Sequence, residues 1–219
     1  MKPNEFTAAV EAALVPLADP AQAGPMTAYM RNKFVFLGIK TPARRSATLP
    51  LIRRQEEHVL ATAKALWSRR EREYQYVACD LLLLGAASLP ASSLTGVLRL
   101  ATQKSWWDTV DSLDGVAGIL VRSHPKLATR MEALASNNNF WLRRIAIQHQ
   151  LTFAEDTDAE RLFRICLANA ADPEFFIRKA IGWALRDYAH HDPQAVRRFL
   201  DQHGGRFSPL TLREARRHL

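Results

Sequence analysis

Aromatic residues open successive helical stretches of this chain at a nearly fixed interval. Tyr74, Trp107, Trp141 and Phe176 are separated by 33, 34 and 35 residues. Each begins an apolar segment of helical period that follows a shorter, less aromatic one. A chain patterned this way has few options. One helix pair cannot bury its apolar face alone, so successive pairs must stack on one another.

The rest of the chain agrees with an all-α fold. Glycine is scarce, with 9 in 219 residues, and few stretches alternate as strands do. Helical spacing predicts helices over about 5–18, 26–37, from 41 onward, 56–68, 71–85, 90–103, 105–122, 125–136, 139–153, 157–170, 174–190, 192–203 and 208–218. Gly24-Pro25 is expected to start the second helix and Gly38-Ile39-Lys40 to end it. Thr41 is expected as N-cap of the third, with Pro42 at its first position. Pro90, Pro125, Pro173 and Pro193 fall near predicted helix starts, where a missing N–H costs little. No linker or composition break interrupts residues 1–219, which read as a single domain. The period resembles that of HEAT-like or TPR-like repeats without the specific consensus of either. The expected architecture is an α-solenoid of HEAT-like repeats with a concave basic groove.

Composition narrows the function. No run approaches the roughly 20 apolar residues of a membrane span, and the N-terminus lacks the apolar stretch of a signal peptide. Cys79 and Cys166 sit in apolar helical patterns and read as core residues of a reduced, cytoplasmic protein. Lys and Arg total 30 against 22 acids, a formal charge of +8, which favours a polyanionic partner, nucleic acid first. The seven histidines are scattered, and no Walker, GxGxxG or GxSxG motif occurs. We expect no metal and no nucleotide cofactor.

The repeat supplies a register. Setting Trp107, Trp141 and Phe176 equivalent places Val110, Arg144 and Lys179 in one row, and Asp114, Gln148 and Trp183 in another. Trp107 and Asp111 are four residues apart and share a helix face. In this register Trp107, Asp111, Arg144, Lys179 and Trp183 project from one face of three stacked helices. An indole beside a carboxylate suits a cationic, planar guest. For an isolated Trp-x-x-x-Asp, a core indole beside a surface acid is the ordinary reading. The basic pairs Arg143-Arg144 and Arg178-Lys179 recur at corresponding positions, as a row of phosphates would require.

Four separated motifs carry a resemblance. They are Lys33-Phe-Val-Phe-Leu-Gly-Ile-Lys-Thr-Pro42, Lys104-Ser-Trp-Trp-Asp-Thr-Val-Asp111, Phe140-Trp-Leu-Arg-Arg-Ile-Ala146 and Glu174-Phe-Phe-Ile-Arg-Lys-Ala-Ile-Gly-Trp-Ala-Leu-Arg-Asp-Tyr188. In this order they resemble the AlkD family of alkylpurine DNA glycosylases, from Pro25-Met-Thr-Ala-Tyr-Met30 to the C-terminal helix. The resemblance places the family's catalytic aspartate on Asp111, its groove tryptophans on Trp107 and Trp183, its groove arginine on Arg144 and its early tyrosine on Tyr29. It implies excision of positively charged N3- and N7-alkylated purines from duplex DNA, with the lesion left stacked, whereas most glycosylases flip the base out. One position departs from the family pattern. Asp114 stands one turn past Asp111, where an apolar residue is expected.

The implied chemistry is hydrolysis of an N-glycosidic bond without strand cleavage, since no lysine is placed as an amine nucleophile. Asp111 would stabilise the oxocarbenium-like sugar and orient water, and Trp107 and Trp183 would flank the lesion. Arg144, Lys179, Arg143, Arg178, Tyr29, Lys33, Thr41 and Arg44 are the expected DNA contacts. The protein is then expected to act in base excision repair as a nucleoid-associated monomer. The alternative is a non-catalytic repeat module that binds DNA or an acidic protein. A pure phosphate binder, however, gains nothing from a carboxylate in its groove.

Overall fold

A computed structural model of the chain describes residues 1–219, apart from the side chain of His218. The described residues form thirteen α-helices, joined by loops and short 3₁₀ turns, and no strand. In order these are α1 (Pro3–Leu14), α2 (Pro20–Tyr29), α3 (Thr41–Ile52), α4 (Val59–Ser68), α5 (Arg72–Gly85), α6 (Ser93–Ala101), α7 (Trp107–Ser123), α8 (Ala128–Leu134), α9 (Phe140–Gln148), α10 (Ala159–Ala168), α11 (Phe175–Ala189), α12 (Pro193–His203) and α13 (Pro209–Ala215). Among the described residues no helix is long and apolar enough to cross a membrane. The chain divides into two compact units, Met1–Leu100 and Ala101–Leu219.

In the first unit α1 packs on α3 and α4, and α5 on α3 and α4. Phe6, Val10, Leu14, Leu66, Val77 and Leu82 are fully buried between them. The second helix departs from its sequence expectation. It begins at Pro20, capped by the Asp19 carboxylate on the Ala21 N–H, and it ends at Tyr29. Pro25 lies inside it. Arg31 and Asn32 then take positive φ, which stops the helix. Residues 33–40 run without helix, and the donors of three of them have another partner. The buried Glu73 carboxylate accepts the N–H groups of Leu37, Gly38 and Ile39 at 3.0, 3.0 and 3.1 Å. A side chain 34 to 36 residues away thus overrides local helix periodicity. Gly38 has φ of +90° and lies against the Asp19 carbonyl, a place closed to any Cβ. The third helix differs by one residue: Lys40 is its N-cap, and Thr41 its first helical position.

The second unit is built by repetition. Helices α7, α9, α11 and α13 pack side by side in that order. Helix α8 packs on α9, α10 on α9 and α11, and α12 on α11. Val110, Leu113, Ile145, Ile177, Ile181 and Leu185 are fully buried along this array. The repeat is visible in its loops. Asn137 accepts the Asn139 N–H and Asn139 caps the Trp141 N–H, at 2.9 Å each. Thirty-five residues on, Asp172 accepts the Glu174 N–H at 2.8 Å and Glu174 caps the Phe176 N–H at 3.2 Å. Both cysteines are buried free thiols, and burial pushes the Cys166 thiol upward.

The aromatic row differs from its sequence register by one residue. Trp106, Trp141 and Phe176 meet, with ring centroids 4.9 to 6.0 Å apart. Trp106 is the N-cap of α7, with extended backbone at φ −160° and ψ 159°. It is buried in the aromatic cluster. Trp107 is partly exposed at the first helical position, one turn ahead of Asp111.

Candidate active site

The repeat brings α7, α9, α11 and α13 side by side, and polar groups of neighbouring helices meet at two carboxylates, Asp111 on α7 and Glu214 on α13. Asp111 has about a quarter of its side chain in solvent. The Arg144 guanidinium grips it in a fork, Nε to Oδ1 at 2.7 Å and Nη2 to Oδ2 at 2.8 Å. The third face of the guanidinium donates from Nη1 to the Phe176 carbonyl on α11 at 2.6 Å. Arg144 itself is 1% exposed. A buried guanidinium is tolerated when its donors are met with this geometry. A bidentate fork also removes rotational freedom from the carboxylate it holds.

Trp183 completes the arrangement. Its ring centroid lies 5.4 Å from the Arg144 guanidinium carbon and 5.2 Å from Lys179 Nζ, within reach of cation–π attraction. The indole is partly exposed. Its N–H donates to Glu214 on α13 at 3.2 Å, and the same carboxylate takes Lys179 Nζ at 2.9 Å. The hydrogen bond and charge of Lys179 hold Glu214 below the ordinary carboxylate value, with help from Trp183 and Arg186 and against the opposing effect of burial.

Asp114 is no second surface carboxylate. It is 3% exposed, and its Oδ2 accepts no hydrogen bond. Burial pushes its carboxyl well above the ordinary value, and the negative Asp111 one turn away pushes the same way. The Arg144 charge and the Gly115 N–H oppose them with smaller effects. The consequence for stability has a definite sign. The folded state holds a proton that the unfolded chain releases above about pH 4. This group's contribution therefore destabilises the fold as pH rises from there toward its raised folded value. Asp114→Asn is expected to melt at higher temperature than wild type at pH 7, and the two melting curves should converge near pH 4. Thermal unfolding across that range checks it; parallel curves would place Asp114 as an ordinary ionised group.

Arg143 and Arg178, also expected on phosphate, are engaged inside the protein. Arg143 donates to the Asn137 carbonyl at 2.7 Å and to Asp172 at 2.6 Å, and Arg178 to the Pro173 carbonyl at 2.7 Å. The recurring first arginine of each pair therefore fastens the loop ahead of its own helix. Arg144, expected from its spacing to hold phosphate, is paired with Asp111. In the first unit, Tyr29, Lys33 and Thr41 are exposed. Arg44 is 5% exposed, pairs with Asp80 at 3.1 Å and lies 4.9 Å from the Tyr76 ring centroid. Glu214 and the Phe176 carbonyl escaped the motif reading. The repeat held a signal for Glu214: the step of 35 residues from Arg144 to Lys179, taken once more, lands on Glu214.

Fold and site together define a helical-repeat protein that presents an arginine-clamped aspartate beside a partly exposed indole. A family model for DNA alkylation repair enzymes matches residues 10–219. The solved structure of a predicted DNA alkylation repair enzyme from Enterococcus faecalis is similar at a TM-score of 0.85 and 34% sequence identity, covering 92% of this chain and 96% of that one. No curated protein matches. The chain belongs to the DNA alkylation repair enzyme family.

Proposed function

We propose that the protein is a monofunctional DNA glycosylase. Its substrates are cationic N3- and N7-alkylated purines in duplex DNA, excised by hydrolysis without flipping the base. The observation that carries this reading is the Asp111–Arg144 fork: a carboxylate held rigid, yet a quarter exposed. Alkylation at N3 or N7 makes the base a cation and a good leaving group. Cleavage moves positive charge to the deoxyribose, and a carboxylate already oriented stabilises that charge without reorganising. Each Asp111 oxygen that accepts from Arg144 retains a second lone pair, so one can also orient the attacking water. Arg144 acts here by fixing Asp111. Trp107 and Trp183 flank the site as partly exposed indoles that exclude bulk water from the sugar. Lys179 supplies positive charge beside Trp183.

Tyr29, Lys33 and Thr41 are exposed, and they contact DNA in this reading. Residues 1–219 act as one functional domain of HEAT-like repeats, and the protein works as a monomer in base excision repair. The engaged Arg143, Arg144 and Arg178 weaken the rival reading of a phosphate-binding module, because each donates from its guanidinium to a backbone carbonyl within the protein. Incubation with methylated duplex DNA tests the proposal. Free 7-methylguanine and 3-methyladenine should appear, with abasic sites and intact strands. Uracil in the same duplex should stay, because its bond lacks a cationic leaving group. Duplex binding with no base released would favour the module.

A further inference from the structure

Glu214 is the residue of this face that the proposed chemistry leaves without a role. It stands on α13, and its carboxylate is mostly buried against α11. One oxygen takes Lys179 Nζ at 2.9 Å; the other accepts from Trp183 Nε1 at 3.2 Å and Arg186 Nη1 at 3.4 Å. The root of the side chain is fixed as well. At Gly182 the two helices approach so closely that an added Cβ would lie 2.5 Å from the Glu214 Cβ. A lysine and an indole four residues apart on a helix each have several rotamers open to them. Tied to one carboxylate, both lose that freedom together. The tie reaches further, since the same indole ring lies 5.4 Å from the guanidinium that grips Asp111.

We propose that Glu214 is a positioning residue of this site: it sets the plane of Trp183 through the indole N–H and retains the Lys179 charge beside that ring. The proposal rests on the glycosylase reading and names a residue through which that site is held. It predicts an opposed pair of effects that a purely structural residue would not give. In Glu214→Gln the amide oxygen still accepts from the indole, but the charge that retains Lys179 is gone. The released ammonium joins the phosphates. Duplex DNA should bind tighter at low salt, with a log–log salt slope steeper by about 1. Single-turnover release of 7-methylguanine should nonetheless slow by about tenfold, as expected for a displaced site group.

The indole N–H resonance of Trp183, assigned by its loss in Trp183→Phe, adds a readout independent of activity. It should move upfield in Glu214→Ala, which offers no acceptor. If the alanine variant does not fold, the near-isosteric glutamine variant decides by its rate and salt slope. Wild-type excision by Glu214→Gln, or an unmoved indole resonance in Glu214→Ala, overturns the assignment. A wild type that releases no base overturns the glycosylase reading; the indole resonance and salt slope then still report whether Glu214 holds Trp183 and Lys179.

Discussion

Asp111→Asn is expected to lower single-turnover release of 7-methylguanine by about 10²- to 10³-fold, or about 3–4 kcal/mol of barrier. The substitution keeps size and shape and removes the charge that, in the proposed reaction, faces the developing sugar cation. One amide oxygen remains for Arg144, so the fork is weakened rather than emptied. Duplex binding should survive or tighten slightly, since a negative charge leaves the proposed DNA-facing surface. Asp114→Asn is the internal control. It changes the formal charge equally one turn away, yet Asp114 is buried and its carboxyl is raised well above the ordinary value. Its effect on rate should be much smaller. Equal rates for wild type and Asp111→Asn would remove the aspartate from the chemistry.

Arg144→Met should strongly destabilise the second unit. It strips Asp111 of its fork and leaves the Phe176 carbonyl without its guanidinium donor. Removing one partner of a buried ion pair costs about 3–5 kcal/mol. Asp111 recovers part of that from water because it is a quarter exposed, so about 3 kcal/mol is expected. Urea unfolding measures it. Excision should fall as well, because a freed carboxylate rotates out of line. Arg144→Lys should rescue little of either property, since an ammonium cannot span both oxygens and a carbonyl in one plane. A lysine variant with wild-type stability and rate would mean that only the charge matters.

Much of this was legible in the chain. The period of 33 to 35 residues predicted stacked helices, and thirteen predicted helices correspond to thirteen observed. Two kinds of feature were hidden. Residues 30–37 carry apolar spacing that suits a helix, yet Glu73, far along the chain, accepts the N–H groups of Leu37, Gly38 and Ile39 and holds the end of this stretch out of a helix. Local periodicity cannot register a competitor that arrives through tertiary packing. The other concerns charge. Counting put 30 cations in the chain but could not say which face solvent. Arg143, Arg144 and Arg178 read as a phosphate-facing row, whereas their guanidinium groups meet carbonyls and carboxylates within the protein. Asp111 itself was visible from its spacing to Trp107 and from motif resemblance; the fork that fixes it was not.

The bond from Arg144 to the Phe176 carbonyl has a consequence for how such a site drifts over generations. Its acceptor is main chain, present whatever side chain position 176 encodes. Genetic change can therefore touch only one end of this anchor, whereas the Asp111 fork is exposed to substitution at both. Positions 111 and 144 should accordingly be inherited as a matched pair. Position 176 answers to its aromatic neighbours alone, and can change its side chain without releasing the arginine.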